Sequence, residues 1–133
     1  MGATIRWCDK SKRVLYCGLD GKWTAARLYT TMDTIWQGVQ NMSHPVHVIL
    51  DLRNSYLTIE DHDLIPKWCP SNLGTVVIVG RTEAIYNVYG AFLWHSTQTY
   101  LSVEVRAMRT PEAAYQFLIS ERVNRTEHVK PML

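Results

Sequence analysis

The densest group of side chains able to do chemistry is Glu60-Asp61-His62-Asp63. Carboxylates and an imidazole can ligate a divalent metal. Neighbours in sequence splay by about 100° on a helix, so these four cannot converge on one ion. The cluster reads instead as a solvated helix start, where the dipole favours acids. No metal and no cofactor is expected.

His47 and Asp51 share one face of an expected strand, with Val48 and Leu50 on the other. Four residues of strand separate them by about 13 Å, too far for a catalytic dyad. His47 reads as a satisfied core histidine. Asp51 is expected at the C-terminal end of a central strand, where α/β ligand sites open. It could line a pocket with Arg53 and Arg81, or cap the turn that follows, which is the favoured reading. Gly80-Arg81-Thr82 joins a strand to a helix, and the free N–H groups there, with Arg81, could hold an anion. The lack of a second glycine favours an ordinary turn. No Gly-x-Ser-x-Gly elbow occurs. His95 and Ser96 point apart on a helix, and Cys69 has only Lys67 as a basic neighbour. No catalytic residue is assigned, and the chain does not read as an enzyme.

The elements that would position these groups follow from pattern. Thr4–Cys8 and Arg13–Leu19 are β-rich runs around Asp9-Lys10-Ser11-Lys12, an antiparallel hairpin, with Asp20-Gly21 as the turn that ends the second. Thr24–Met42 is the clearest helix, with Leu28, Met32, Ile35, Trp36, Val39 and Met42 on one arc. Thr24 suits its N-cap, Trp23 and Leu28 have staple spacing, and His44-Pro45 stops it. Residues 46–52 are nearly all apolar, as in a strand buried on both faces. A short helix is expected over Thr58–Trp68, with Leu57, Leu64, Ile65 and Trp68 on one side and Pro66 ending or kinking it. Residues 74–80 make another strand, 82–100 a long helix and 102–108 a last strand. Thr110-Pro111-Glu112 opens a final helix with Ala114, Phe117 and Leu118 as its buried stripe. The order β-β-α-β-α-β-α-β-α implies an α/β layered domain. Its mixed, mainly parallel sheet has about five strands, with about four helices.

The 133 residues suit one domain, 1–133, with residues 124–133 a frayed tail. Apolar residues are 47% and charged residues 20%, which excludes a disordered chain. Fourteen basic against twelve acidic residues give +2, too balanced for a charge-driven nucleic-acid or membrane binder. The opening MGATIRWCDKSKR lacks the apolar stretch of a secretory signal, and no window reaches a membrane span. Cys8, Cys17 and Cys69 are odd in number and widely spaced, as for reduced thiols. A cytoplasmic protein is expected.

The element order, with a buried strand ending in Leu50-Asp51-Leu52-Arg53, resembles the STAS family of anti-sigma-factor antagonists and sulfate-transporter tails. It is closer still to small bacterial proteins described as STAS-like or CRAL-TRIO-like. The phrases that carry the likeness are residues 21–24 (Gly-Lys-Trp-Thr), 44–46 leading to Asp51-Leu52, and 73–80. The resemblance covers nearly the whole chain and implies a fold more than an activity. It departs where phosphorylatable members carry a serine pair and a glycine. Here the stretch reads Ser55-Tyr56-Leu57-Thr58, leaving Ser55 and Thr58 as candidate phosphorylation sites or simple helix caps.

In the 82–100 helix the apolar residues fill an arc about 160° wide, against the roughly 100° that a sheet face needs. Tyr86, Tyr89, Leu93 and Trp94 are the interface residues this surplus suggests. The expected function is therefore a non-enzymatic STAS-like interaction or regulatory module with a protein partner, as a homodimer through that helix. The alternative is a carrier or sensor of a small apolar or anionic ligand at Asp51, Arg53, Arg81 and Thr82. No nucleic acid and no membrane is expected as a partner.

Overall fold

The computed structural model describes residues 2–57, 66–81, 88 and 103–120. Five strands and two helices lie within them: β1 (Gly2–Trp7), β2 (Val14–Trp23), α1 (Ala25–Gln40), β3 (Val46–Leu57), β4 (Leu73–Val79), β5 (Val105–Met108) and α2 (111–120). The strands form one sheet in the order β1-β2-β3-β4-β5. β1 and β2 pair antiparallel, and the three other pairs are parallel. The chain is thus α/β with a mixed five-stranded sheet. Of the expected 82–100 helix, only Val88 is described, and it is buried. Of the expected 58–68 helix, residues 58–65 lie outside the described residues, as does the 124–133 tail.

α1 forms for the reasons its sequence gives. The Thr24 hydroxyl accepts the Arg27 N–H at 3.3 Å, which satisfies one of the free donors of the first turn. Leu28, Met32, Ile35, Trp36 and Val39 recur at helical spacing and are all buried. The helix ends at Gln40, ahead of His44-Pro45, with Asn41 as its C-cap. The Asn72 amide donates to the carbonyls of Val39, Met42 and His44 at 2.7, 3.1 and 3.0 Å, so a distant side chain closes this end.

Three expectations about boundaries need correction. Asp20-Gly21 is not a turn: β2 runs through both to Trp23. A bulge between Gly18 and Asp20 shifts the register, Gly21 takes φ 88° in the region glycine tolerates, and residues 54–57 of β3 pair with the extension. β3 likewise continues past Leu52 to Leu57, so Leu57 belongs to a strand. Residues 66–70 are not helical, so Trp68 is on no helix, and its indole N–H donates to Asp33 at 2.7 Å.

Strand alternation divides the core in two. Leu15, Cys17, Leu19, Val48, Leu50, Leu52, Val76 and Ile78 join α1 on one face. Val14, Ile49, Val77 and Val79 join Ala114 and Leu118 of α2 on the other. The apolar run of β3 is therefore buried on both faces, as its composition predicts. The Thr110 hydroxyl accepts the Ala113 N–H at 3.1 Å and starts α2. Cys8, Cys17 and Cys69 are free thiols, and burial pushes all three up. Among the described residues no helix is long and apolar enough to cross a membrane.

Candidate functional site

α2 packs on Val14, Ile49, Val77 and Val79, and its face of the sheet continues beyond it onto β1, β2 and the second half of β3. Here the side chains are polar, and the surface is concave. One cavity of about 270 Å³ is lined by Thr4, Arg6, Tyr16, Asp20, Asp51 and Asn54. A second of about 190 Å³ is lined by Cys8, Ile49, Pro111, Glu112 and Tyr115, again with Arg6 and Tyr16. Arg6 and Tyr16 thus belong to both walls. The Arg6 guanidinium stands 4.7 Å from the Tyr16 ring centroid, within cation–π range.

Register explains the arrangement. Tyr16 pairs with Ile49 and Gly18 with Asp51, so Tyr16 must lean two residues along its own strand to reach Asp51. Gly18 permits it. A Cβ at Gly18 would lie 2.7 Å from the Tyr16 hydroxyl oxygen and 3.0 Å from two ring carbons. The ring lies across bare backbone, and its hydroxyl donates to Asp51 Oδ2 at 2.7 Å. Arg53 supplies the other donors: its N–H and Nε to Oδ1 at 3.1 and 3.0 Å, and Nη2 to Oδ2 at 3.0 Å. Asp51 is 4% exposed and Arg53 43%.

The electrostatics follow. Burial pushes the Asp51 carboxyl up, but hydrogen bonds from Arg53 and Tyr16 and the Arg53 charge outweigh it and hold the group below its ordinary value. Burial, then the bond to Asp51 and its negative charge, push the Tyr16 phenol up to about 12. The bond to Asp51 raises the Arg53 guanidinium. Four donors meet the roughly four lone-pair positions of a carboxylate, which leaves Asp51 none for a substrate proton. Arg6 has no carboxylate partner among the described residues, so its donors are available to a ligand.

The turn between β1 and β2 closes one end of the groove. Asp9 Oδ1 accepts the Ser11 N–H at 2.8 Å, and Oδ2 accepts the Tyr115 hydroxyl of α2 at 2.5 Å. His47, expected as a core histidine, is 5% exposed. Its Nδ1 accepts the Thr75 N–H at 2.9 Å, which places the ring proton on Nε2.

Of the candidate ligand residues, the structure joins Asp51 to Arg53. Asp51 is in the middle of β3, so no turn follows it, but its Oδ1 makes the local bond expected of a cap, accepting the Arg53 N–H two residues on; its partner Val79 ends β4. Arg81 is not in either wall; its guanidinium lies 5.9 Å from the Tyr56 ring centroid. Ser55 starts no helix. It lies buried in β3, and its hydroxyl donates to the Leu52 carbonyl at 2.9 Å. Thr58, residues 60–63, Thr82, Tyr86, Tyr89, Leu93 and Trp94 lie outside the described residues. Among the described residues no three His, Cys, Asp or Glu side chains gather as a metal site. Sequence reasoning missed Arg6, Tyr16 and Gly18. The usable signal was an aromatic two residues before a glycine on one strand face. Compared with known proteins, the chain matches no family model, no curated protein and no solved structure.

Proposed function

We propose that this chain is a non-enzymatic, STAS-like binding module, cytoplasmic and regulatory in role, whose recognition surface for a protein partner is the groove around Arg6 and Tyr16. The observation that carries this reading is the state of Asp51. A buried carboxylate with every acceptor position filled by Arg53 and Tyr16 holds a surface in shape and has no lone pair to take a proton. Arg6, stacked on Tyr16, presents the free donors of a contact residue. An antiparallel hairpin followed by parallel strands in chain order supports the STAS-like part of the reading. Ser55, buried inside a strand with its hydroxyl on the Leu52 carbonyl, supports reading that candidate as a structural residue and not as a phosphorylation site. Self-association belongs to the same reading.

The test is a comparison of the protein and its Arg6→Glu variant, each recovered from its native cells. A partner held by the first, lost from the second and rebound by purified wild-type protein in calorimetry is expected. Identical partner sets would overturn the groove as the recognition surface.

A second reading, a sensor of a small polar ligand, is favoured by the cavity of about 270 Å³ with its convergent polar groups. It predicts a reproducible extra mass in native mass spectrometry of freshly purified protein, lost in Arg6→Glu.

A further inference from the structure

β1 is one edge of the sheet, and among the described residues no strand pairs with its outward side. The Cys8 N–H donates to the Val14 carbonyl at 2.9 Å, which fixes the phase of the β1–β2 ladder. Bonded residues alternate along an antiparallel strand. The even-numbered residues of β1 therefore bond to β2, and Ala3, Ile5 and Trp7 turn their N–H and C=O groups outward. Residues 2–6 are all exposed, and Ile5 is 44% exposed at the centre of the strand.

Sheet edges are usually guarded by proline, bulges, inward charge or short length. β5, the opposite edge, has four residues and carries Arg106. β1 has six, with no proline and a regular register. Its one charge, Arg6, folds back over Tyr16 on β2 and leaves the edge open.

We propose that β1 pairs antiparallel with β1 of a second copy of this chain, in a register centred on Ile5. The outward groups and the side chains beside them are self-complementary. In an antiparallel pair, hydrogen-bonded residues stand opposite one another, and opposed side chains share a face. With Ile5 opposite Ile5, Ala3 stands opposite Trp7, and all three outward N–H groups of each copy find a carbonyl. Within Gly2–Trp7, registers centred elsewhere leave some of them bare. On the α1 face, the two Ile5 side chains cover each other. On the groove face, Arg6 stands opposite Thr4, so no like charges oppose. The contact is isologous, as closed two-fold dimers require. It makes a continuous ten-stranded sheet (five from each copy), with both Arg6–Tyr16 grooves on the same face. The inference goes beyond the groove reading and stands whether or not the groove binds a partner.

Ile5→Pro is the discriminating variant. The Ile5 N–H points outward, so proline removes no bond to β2 while its ring blocks the edge. Sedimentation velocity of the full chain should show a dimer for the wild type and a monomer for Ile5→Pro, with unchanged far-UV circular dichroism. The Ile5 amide should exchange more slowly as wild-type concentration rises. A wild-type monomer at its highest soluble concentration would overturn the proposal, as would a dimer that survives Ile5→Pro. If Ile5→Pro does not fold, Ile5→Lys decides. It sets two ammonium groups opposite each other and should weaken the dimer about tenfold or more. An unchanged dimer there overturns the proposal equally.

Discussion

The Tyr16 hydroxyl reaches Asp51 across the backbone of Gly18, at 2.7 Å and over a separation of 35 residues. The three residues form one device, because the ring can lie flat only where position 18 has no Cβ. Tyr16→Phe deletes a bond to a buried carboxylate, a loss of about 2 kcal/mol. Gly18→Ala should cost about the same, because its Cβ displaces the ring and breaks the same bond. The double variant should cost little more than either single one, since the bond can be lost only once. Urea midpoints of the four proteins check this, and additive losses would dissolve the device into separate contacts.

The same network gives stability a defined pH window. The folded Asp51 carboxyl is held below its ordinary value, so its contribution is fully present above the unfolded value of about 4. That contribution is lost as pH falls through the lower folded value. The folded Tyr16 phenol is raised to about 12, so its contribution is full below about 10 and lost as pH rises through about 12. Urea unfolding across pH should show both shoulders. Tyr16→Phe should remove the alkaline loss due to this phenol, and Asp51→Asn should flatten the acid one.

The α/β class, the hairpin, α1 and the β3 core were legible because each rests on a local signal: β-branched and aromatic runs around a polar turn in β1 and β2, a 3.6 period in α1, a continuous apolar run in β3. Strand lengths were not. Asp20-Gly21 carries the local signal of a turn, and only pairing with residues 54–57 shows that the chain stays extended there. The same gap hid the groove. Arg6, Tyr16 and Asp51 lie on three strands, and their meeting depends on a register no local pattern reports. Asp51 and Arg53 were recognisable as neighbours on one strand face. Arg81 was grouped with them by its strand-end position and faces Tyr56 instead.

His47 and Gly74 form a second glycine-dependent contact, in the interior. A Cβ at Gly74 would lie 2.5 Å from His47 Nδ1 and 3.3 Å from the Val46 carbonyl oxygen. His47 is 5% exposed, so the ring would have to shift within the packed interior. Gly74→Ala should therefore push the imidazole off the Thr75 N–H and cost about 2–3 kcal/mol, as an overpacked site with a buried donor left bare. Nitrogen NMR of His47 should report Nε2 as the protonated nitrogen in the wild type. A wild-type spectrum with the proton on Nδ1 would contradict the assigned bond.

Asn72 is a side chain whose chemistry a near-isosteric change can invert. Its amide nitrogen faces three carbonyl oxygens, those of Val39, Met42 and His44. Asn72→Ala leaves those oxygens to water or to nothing, at a cost of about 1–3 kcal/mol. Asn72→Asp keeps the shape but can place a charged oxygen where the donor was, against three acceptors at the negative end of α1. It should destabilise the protein more than alanine does at neutral pH. The difference should shrink in acid, where the new carboxyl protonates and regains one donor. Thermal melts of both variants at neutral and acid pH measure this. Equal losses at neutral pH would mean that the amide fills space and does not cap the helix.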